Sequence, residues 1–382
     1  MDTQAQQQND KLKALAEKVS RLSLLLTRER EDLPAAYLKD AGLREAYLAY
    51  FLLPNLEKIK VPLGELSLHP GKALEKERLR VLDLGCGPGT ASLGVLDFFG
   101  AREHYPRLEF TAVDQVAENL KSAEELFSSM RASRGLKAAM TTVRSDVADL
   151  SRLEAGPFDL VILSNVLNEL FSREGRKIEK RLAVMGDIMT RLLADDGSLI
   201  IIEPALRETS REMLEVRDRL LDEGFHVYAP CIFAGKCPAL TNPRDWCHED
   251  IPWEAPAVIR ELDRLTGLRK DSLKFSWLVF RKDGQSAADF YGDDSFRVVS
   301  EPLISKGKVE FYLCGANGRR LVMRLDRDRS AGNEAMGIMR RGDVVGFAGL
   351  LDEGKRYKVG KDTGVSIRST RRMTHEGKKV GT

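Results

Sequence analysis

The chain has 382 residues, with 60 Lys+Arg against 58 Asp+Glu, a formal net charge of +2 and 43% hydrophobic residues. That is the balance of a globular protein of two or three domains, and no apolar run approaches the ~18–20 residues of a membrane span. Met1–Asp10 has neither an apolar signal core nor the Arg-rich, acid-poor make-up of a transit peptide, so a cytoplasmic location is expected.

Leu12, Leu15, Val19, Leu22 and Leu25 recur every three or four residues, which predicts an amphipathic helix over residues 10–30 that stops at Leu33-Pro34. Tyr37, Leu38, Leu43, Tyr47, Leu48, Phe51 and Leu52 predict further helix over residues 36–59. Residues 1–77 are read together as a helical N-terminal region that caps the next domain.

From about Arg78 the pattern changes. Val81–Leu84 runs into Gly85-Cys-Gly-Pro-Gly89 and then into apolar Ala91–Phe99, which reads as strand, tight turn and helix. Glycine permits φ > 0 and lets a ligand approach the backbone. The helix N-terminus adds unpaired donors. The spacing is G-x-G-x-G rather than the G-x-G-x-x-G of dinucleotide binders. With Asp83 just ahead, the loop resembles the first motif of S-adenosylmethionine-dependent methyltransferases, with Gly85, Gly87 and Gly89 as its cofactor-binding glycines.

Strands are predicted over 108–114, 138–144, 158–164 and 198–204. Helices are predicted over 116–131 and 207–223, with another opening at Asn165–Leu170 and continuing through Lys177–Leu193. This alternation means an α/β, Rossmann-like fold with a parallel sheet covered on both faces. Ligands in such sheets lie beyond the carboxyl ends of the strands, where the glycine loop, Asp114, Asp146 and Asn165 all fall. Asp114 suits the ribose hydroxyls of the cofactor, since a carboxylate accepts two short charge-assisted bonds; Asp146 suits the adenine amino group. Asn165 is best placed to reach a methyl acceptor and is the one catalytic candidate. The Asn/Asp-Pro-Pro-Tyr/Phe motif of many amino-methylating enzymes is replaced by Ser164-Asn-Val-Leu167, and no general base or nucleophile is evident.

Residues 230–273 form a Cys-, Pro- and Trp-rich insertion between strand 225–229 and its expected antiparallel partner 273–282, within a domain spanning 78–283. Beyond it, residues 284–382 read as a small β-rich appendage, with strand-like runs at 296–300, 308–314, 319–325 and 343–347. The charge is uneven. Gly315–Thr382 holds sixteen Lys+Arg against eight Asp+Glu, which suggests that the C-terminal end meets a polyanion.

A disulfide framework does not suit a chain this long without a secretion signal. Cys231, Cys237, Cys247 and Cys314 leave gaps of 5, 9 and 66 residues, unlike the C-x₂₋₄-C of ordinary zinc sites. Four thiolates suit either a [4Fe–4S] cluster or Zn²⁺, and ligand softness does not choose between them. His248, beside Cys247, either substitutes for a ligand of that site, lies just behind its ligands, or is a surface residue.

Pro230-Cys231, Cys237-Pro238, Asp245-Trp-Cys-His248 and the lone Cys314, set behind Leu-Gly-Cys-Gly-Pro-Gly89, resemble one family. It is that of the methyltransferase-like small-ribosomal-subunit proteins, comprising mitochondrial methyltransferase-like protein 17 and its bacterial relatives. Leu33-Pro-Ala-Ala-Tyr37 is similar to a signature near their N-termini, and Val345–Val359 resembles their C-terminal segment. The resemblance covers residues 33 to 370. It implies a Rossmann-like methyltransferase fold, S-adenosylmethionine binding, a [4Fe–4S] cluster on Cys231, Cys237, Cys247 and Cys314, and association with small-subunit rRNA during ribosome assembly. The expected function is therefore a cofactor-binding, cluster-containing rRNA-binding protein of the methyltransferase class. Two alternatives stay open: a catalytically silent assembly factor, and a methyltransferase on a non-RNA substrate with structural zinc.

Overall fold

The branched-apolar runs of the central region become strands with no polar face, because helices cover both sides of the sheet they build. In the computed structural model, which describes residues 2–34, 36–153, 156–292 and 294–370, the N-terminal region consists of helices α1 (Asp2–Thr27), α2 (Ala41–Ala46) and α3 (Leu52–Leu66). The central domain follows as β1 (Arg78–Leu84), α4 (Thr90–Gly100), β2 (Arg107–Asp114), α5 (Ala117–Arg134), β3 (Ala138–Arg144), β4 (Phe158–Ser164), α6 (Lys177–Asp187), β5 (Leu193–Pro204), α7 (Arg207–Asp222) and β6 (His226–Ala229). The insertion supplies β7 (Glu249–Pro252) and α8 (Ala257–Thr266), and β8 (Ser272–Arg281) closes the domain.

The sheet runs β3-β2-β1-β4-β5-β8-β6, with β7 alongside β8. Strands β1 to β5 are parallel, and β8 is antiparallel to both β5 and β6. This is the Rossmann-like arrangement expected, including the antiparallel pairing of 225–229 with 273–282. Val81, Leu160, Ile162, Ile200 and Ile202 face one core layer, which also holds Val19, Leu22, Tyr50 and Ile59 of the N-terminal helices. Leu82, Val161, Leu163, Leu199 and Ile201 face the other, against Met185, Ile188 and Met213. The N-terminal helices are thus one cover of the sheet. Gly94 sets their approach: a Cβ there would lie 2.3 Å from Ile59 and 2.6 Å from the Leu56 carbonyl.

Residues 36–59 form the helical region expected: the Asp40 carboxylate caps α2 by accepting from the Leu43 N–H at 2.8 Å, and a π-helical turn over Tyr47–Phe51 then joins α2 to α3. One expectation about helices is corrected: Asn165–Leu170 does not open a helix. Asn165 (φ +60°), Phe171 (φ +55°) and Arg176 (φ +56°) all adopt left-handed backbone, which a right-handed helix cannot continue through. The next helix begins only at Lys177.

After α9 (Ala287–Tyr291), the appendage contains β9 (Ser295–Val298), β10 (Leu303–Ser305), β11 (Lys308–Gly315), β12 (Gly318–Leu325), β13 (Val344–Ala348), β14 (Leu351–Asp352), β15 (Arg356–Val359) and β16 (Gly364–Ser369). They form a second sheet, β14-β15-β12-β11-β9-β13-β16 with β10 beside β11. Its own core holds Val298, Phe311, Leu313, Val322, Met336 and Val345. Several of its basic residues already have partners: Arg356 bonds Glu353 at 2.8 Å, Lys358 lies 3.5 Å from Asp328, and Arg368 bonds Asp294 at 2.6 Å. Residues 371–382 of the basic tail lie outside the described residues. Among the described residues no helix is long and apolar enough to cross a membrane.

Candidate functional site

The glycine loop leaves β1 and enters α4 with Gly85, Gly87 and Gly89 at φ +67°, +53° and +81°. Side chains rarely adopt this region, so each position favours glycine on conformation alone. Their surroundings differ. A Cβ on Gly85 would lie 2.6 Å from Val166, and one on Gly89 3.0 Å from Ala123. A Cβ on Gly87 would meet nothing nearer than Leu38, at 3.9 Å. Gly85 and Gly89 therefore allow packing, whereas a side chain at Gly87 would make only ordinary contact with Leu38.

Asp83 is buried and accepts from the Ser92 N–H at 3.0 Å and the Ser92 hydroxyl at 2.6 Å, which fixes the first turn of α4. Burial pushes its carboxyl up to about 6, against the Ser92 bonds that favour the charge. Asp114, at the end of β2, accepts from the Gly87 N–H at 2.9 Å, the Val116 N–H at 2.8 Å and the Asn119 amide at 3.1 Å. Burial raises its pKa as well. Asp83, the loop and Asp114 thus form one connected unit. Asp146 is exposed, and its carboxylate accepts from the Ala148 N–H at 2.9 Å. Asn165 is half-buried, and its N–H donates to the Ile202 carbonyl at 2.8 Å. Among the described residues neither side chain bonds to the loop unit. Cys86 lies within the loop, and burial pushes its thiol well above the ordinary range, which disfavours the thiolate.

Residues of the site that the sequence did not single out come largely from the N-terminal region. Residues 30–34 and 36–39 lie against the glycine loop and the turn after β4, as a strap. The Arg30 guanidinium donates to the Asn168 side-chain oxygen. Arg173 donates to the carbonyls of Glu31 at 2.6 Å and Leu33 at 3.0 Å. Leu38 reaches over Gly87, and the Tyr47 and Thr90 hydroxyls meet at 3.1 Å. Glu169 is exposed to solvent. Its surroundings raise the carboxyl above the ordinary range; Arg30 opposes this and Asp114 adds to it. Burial, followed by Glu169, Tyr47 and Asp114, holds the Tyr37 hydroxyl well above its ordinary range. Glu203, at the end of β5, accepts from the Asn168 N–H at 3.2 Å. It is pushed up to about 8, first by burial, and its second oxygen has no hydrogen-bond partner. Leu33-Pro-Ala-Ala-Tyr37 was the only available signal for the strap, and it named no role for Tyr37.

The second site is a cavity of about 60 Å³ whose walls include all four cysteines outside the loop: Cys231, Cys237 and Cys247 from the insertion, and Cys314 from β11. Arginines on α7 shape the insertion. Arg211 donates to the carbonyls of Ala239 (3.1 Å), Asn242 (2.8 Å) and Asp245 (2.7 Å). Arg217 donates to those of Phe233 (3.2 Å) and Gly235 (3.0 Å), and its neighbour Asp218 accepts from the Cys237 N–H at 3.0 Å. From the appendage, Arg319 forms an ion pair with Asp245. Burial and then the neighbouring sulfurs push the Cys237 thiol up to about 11 and the Cys314 thiol to about 12, with Cys247 also well above its usual range. His248 lines the same cavity, stacked on Trp246 with ring centroids 5.4 Å apart, and burial pushes it down to about 4. Among the described residues, no group of three or more His, Cys, Asp or Glu side chains is gathered as a metal site. The thiols share a cavity without closing into a coordination shell.

The family model described as "Mitochondrial small ribosomal subunit Rsm22" matches residues 73–361. No curated protein matches the sequence. Solved structures with a similar course include an rRNA methylase from Streptococcus thermophilus (13% identity, 58% of this chain and 94% of that chain, TM-score 0.29). A SAM-dependent methyltransferase from Methanosarcina mazei matches at 13% identity, over 56% of this chain and 97% of its own, with TM-score 0.34. An O-methyltransferase family protein from Burkholderia thailandensis matches at 16% identity, over 64% and 59%, with TM-score 0.34. All three likenesses are remote.

Proposed function

The chain belongs to the Rsm22 family of mitochondrial small ribosomal subunit proteins, and from that premise we propose that it binds small-subunit rRNA during ribosome assembly, holding S-adenosylmethionine at the glycine loop and a [4Fe–4S] cluster in the thiol cavity. The observation that carries the cluster is the meeting of Cys231, Cys237, Cys247 and Cys314 on one cavity across a long sequence gap. A single tetrahedral zinc, with Zn–S bonds of ~2.3 Å, needs its four sulfurs roughly 3.8 Å apart. Thiols spread over the walls of a cavity suit a larger inorganic body better. Bound iron would stabilise the thiolate forms and so remove the penalty that burial places on them. Purification without oxygen should give iron and sulfide in equal amounts and broad absorbance near ~400 nm. Stoichiometric zinc without sulfide would replace the cluster with the zinc alternative.

The uncrowded backbone at Gly87 and its bond to Asp114 support the cofactor reading, because the loop gives a ligand access to backbone that Asp114 holds in place. Bound S-adenosylmethionine would supply an activated methyl group, and Asn165 is the residue we assign to the acceptor side. Action on the cytoplasmic small subunit is part of the proposal. Gradient sedimentation at low and moderate salt tests it: co-migration with small subunits or their precursors, weakening steeply as salt rises, is expected of a phosphate-contacting protein. Failure to co-migrate at either salt would favour a non-RNA substrate.

A further inference from the structure

Beside the glycine loop, where Val166 packs against Gly85 and Leu38 lies over Gly87, stand two opposite charges that belong neither to the loop nor to the sheet ends read from sequence. Glu169 lies on the turn after β4, and Arg30 comes from the strap. They are close enough for Arg30 to lower the Glu169 pKa, yet they make no ion pair among the described residues. The Arg30 guanidinium uses donors on Asn168 and, at 3.4 Å, on the Leu26 carbonyl; a guanidinium has five N–H donors, so others remain. The Glu169 carboxylate accepts no hydrogen bond among the described residues. Asn168, itself buried, carries a side-chain amide nitrogen with no partner. A negative and a positive group held side by side, both with unused capacity, complement a ligand bearing the reverse pair.

Resting on the reading that the glycine loop holds S-adenosylmethionine, we propose that Glu169 and Arg30 seat the α-amino-acid end of that cofactor, Glu169 accepting from its ammonium and Arg30 donating to its carboxylate. The strap is then part of the binding site rather than a cover. An ammonium offers three donors to a carboxylate that lacks any, and a guanidinium matches a carboxylate in shape. The groups facing Glu169 are Arg30 and Tyr37 on the strap, Tyr47, Asp114 at the end of β2 and Glu203 at the end of β5.

The test is calorimetric binding of S-adenosylmethionine, S-adenosylhomocysteine and methylthioadenosine, the last of which lacks the amino-acid end. Glu169→Gln and Arg30→Gln should each weaken the first two ligands by about tenfold or more, the usual effect of losing a charged hydrogen bond, and methylthioadenosine by less than about twofold. Thermal melts of both variants establish that they fold; Arg30→Lys, which keeps a charge, should recover part of the affinity. Equal losses for all three ligands, or no loss, would overturn the seat. A wild-type chain that binds methylthioadenosine as tightly as the amino-acid-bearing pair would overturn the seat while leaving the loop reading intact. A wild-type chain that binds none of the three would end the cofactor reading, and the seat with it.

Discussion

Arg297 and Glu65, 232 residues apart in sequence, meet as a buried ion pair at 2.9 Å. Arg297 opens the appendage sheet on β9, and Glu65 lies near the end of α3. Arg297 also donates to the Pro230 carbonyl at 3.2 Å, where the insertion begins, and to the Gly342 carbonyl at 3.0 Å. One guanidinium thus joins the N-terminal helices, the insertion and the appendage. Arg297→Met leaves a carboxylate buried without its cation and should cost about 3–5 kcal/mol, read by urea unfolding. Replacing both partners with apolar residues should recover much of that loss. A single-variant cost under about 1 kcal/mol would show that the pair does not hold these parts together.

The loop glycines should separate by role. Gly85→Ala must adopt positive φ and also collide with Val166, whereas Gly87→Ala meets only the conformational strain, about 1–2 kcal/mol. Melting should therefore place Gly85→Ala below Gly87→Ala by several degrees. Gly87→Ala should lose adenosyl-ligand affinity while remaining folded. The reverse order of stabilities would refute this account of the loop.

Glu203 sets a pH dependence with a definite sign. Its carboxyl is raised from the ordinary 4.5 to about 8, so between those values the folded chain holds a proton that the unfolded chain releases. Wild-type stability therefore falls as pH rises through that window. Glu203→Gln removes this contribution. The melting temperature of the variant relative to wild type should climb from pH 5 to pH 8, by several degrees in all. A constant offset would mean that Glu203 is ionised throughout.

Cys314→Ser removes the one thiol that the appendage contributes. Iron content should fall, and the appendage should become more sensitive to protease, because the link across the cavity is gone. Cys86→Ser is the control: that thiol donates to the Gly87 carbonyl at 3.3 Å, away from the cavity, and iron content should be unchanged. Unaltered protease resistance in Cys314→Ser would reject the link.

The sequence showed the sheet clearly because a strand covered on both faces leaves an unbroken apolar run, as at Leu160–Leu163. The four cysteines could also be grouped, since residue type alone narrows their chemistry. The turn after β4 was misread as helix because Val166, Leu167 and Leu170 carry helical spacing. What overrides that spacing is the left-handed backbone at Asn165 and Phe171, which the pattern of side chains does not encode. The strap was missed for a different reason. The Tyr37 hydroxyl and the Glu169 carboxyl are raised first by their surroundings and then by charged neighbours, some of them more than a hundred residues away in sequence. Single positions carry no trace of that.

The placement of the cysteines also has a consequence for how the protein is made. Three of them fall within residues 231–247, but the fourth, at 314, is encoded 67 residues after the third. During synthesis the chain emerges from its N-terminus, so a truncated product that ends in the insertion presents three sulfurs and an open wall. The cavity closes only when β11 has been made and has folded back. Loading of the proposed cluster would then report that translation has passed β11.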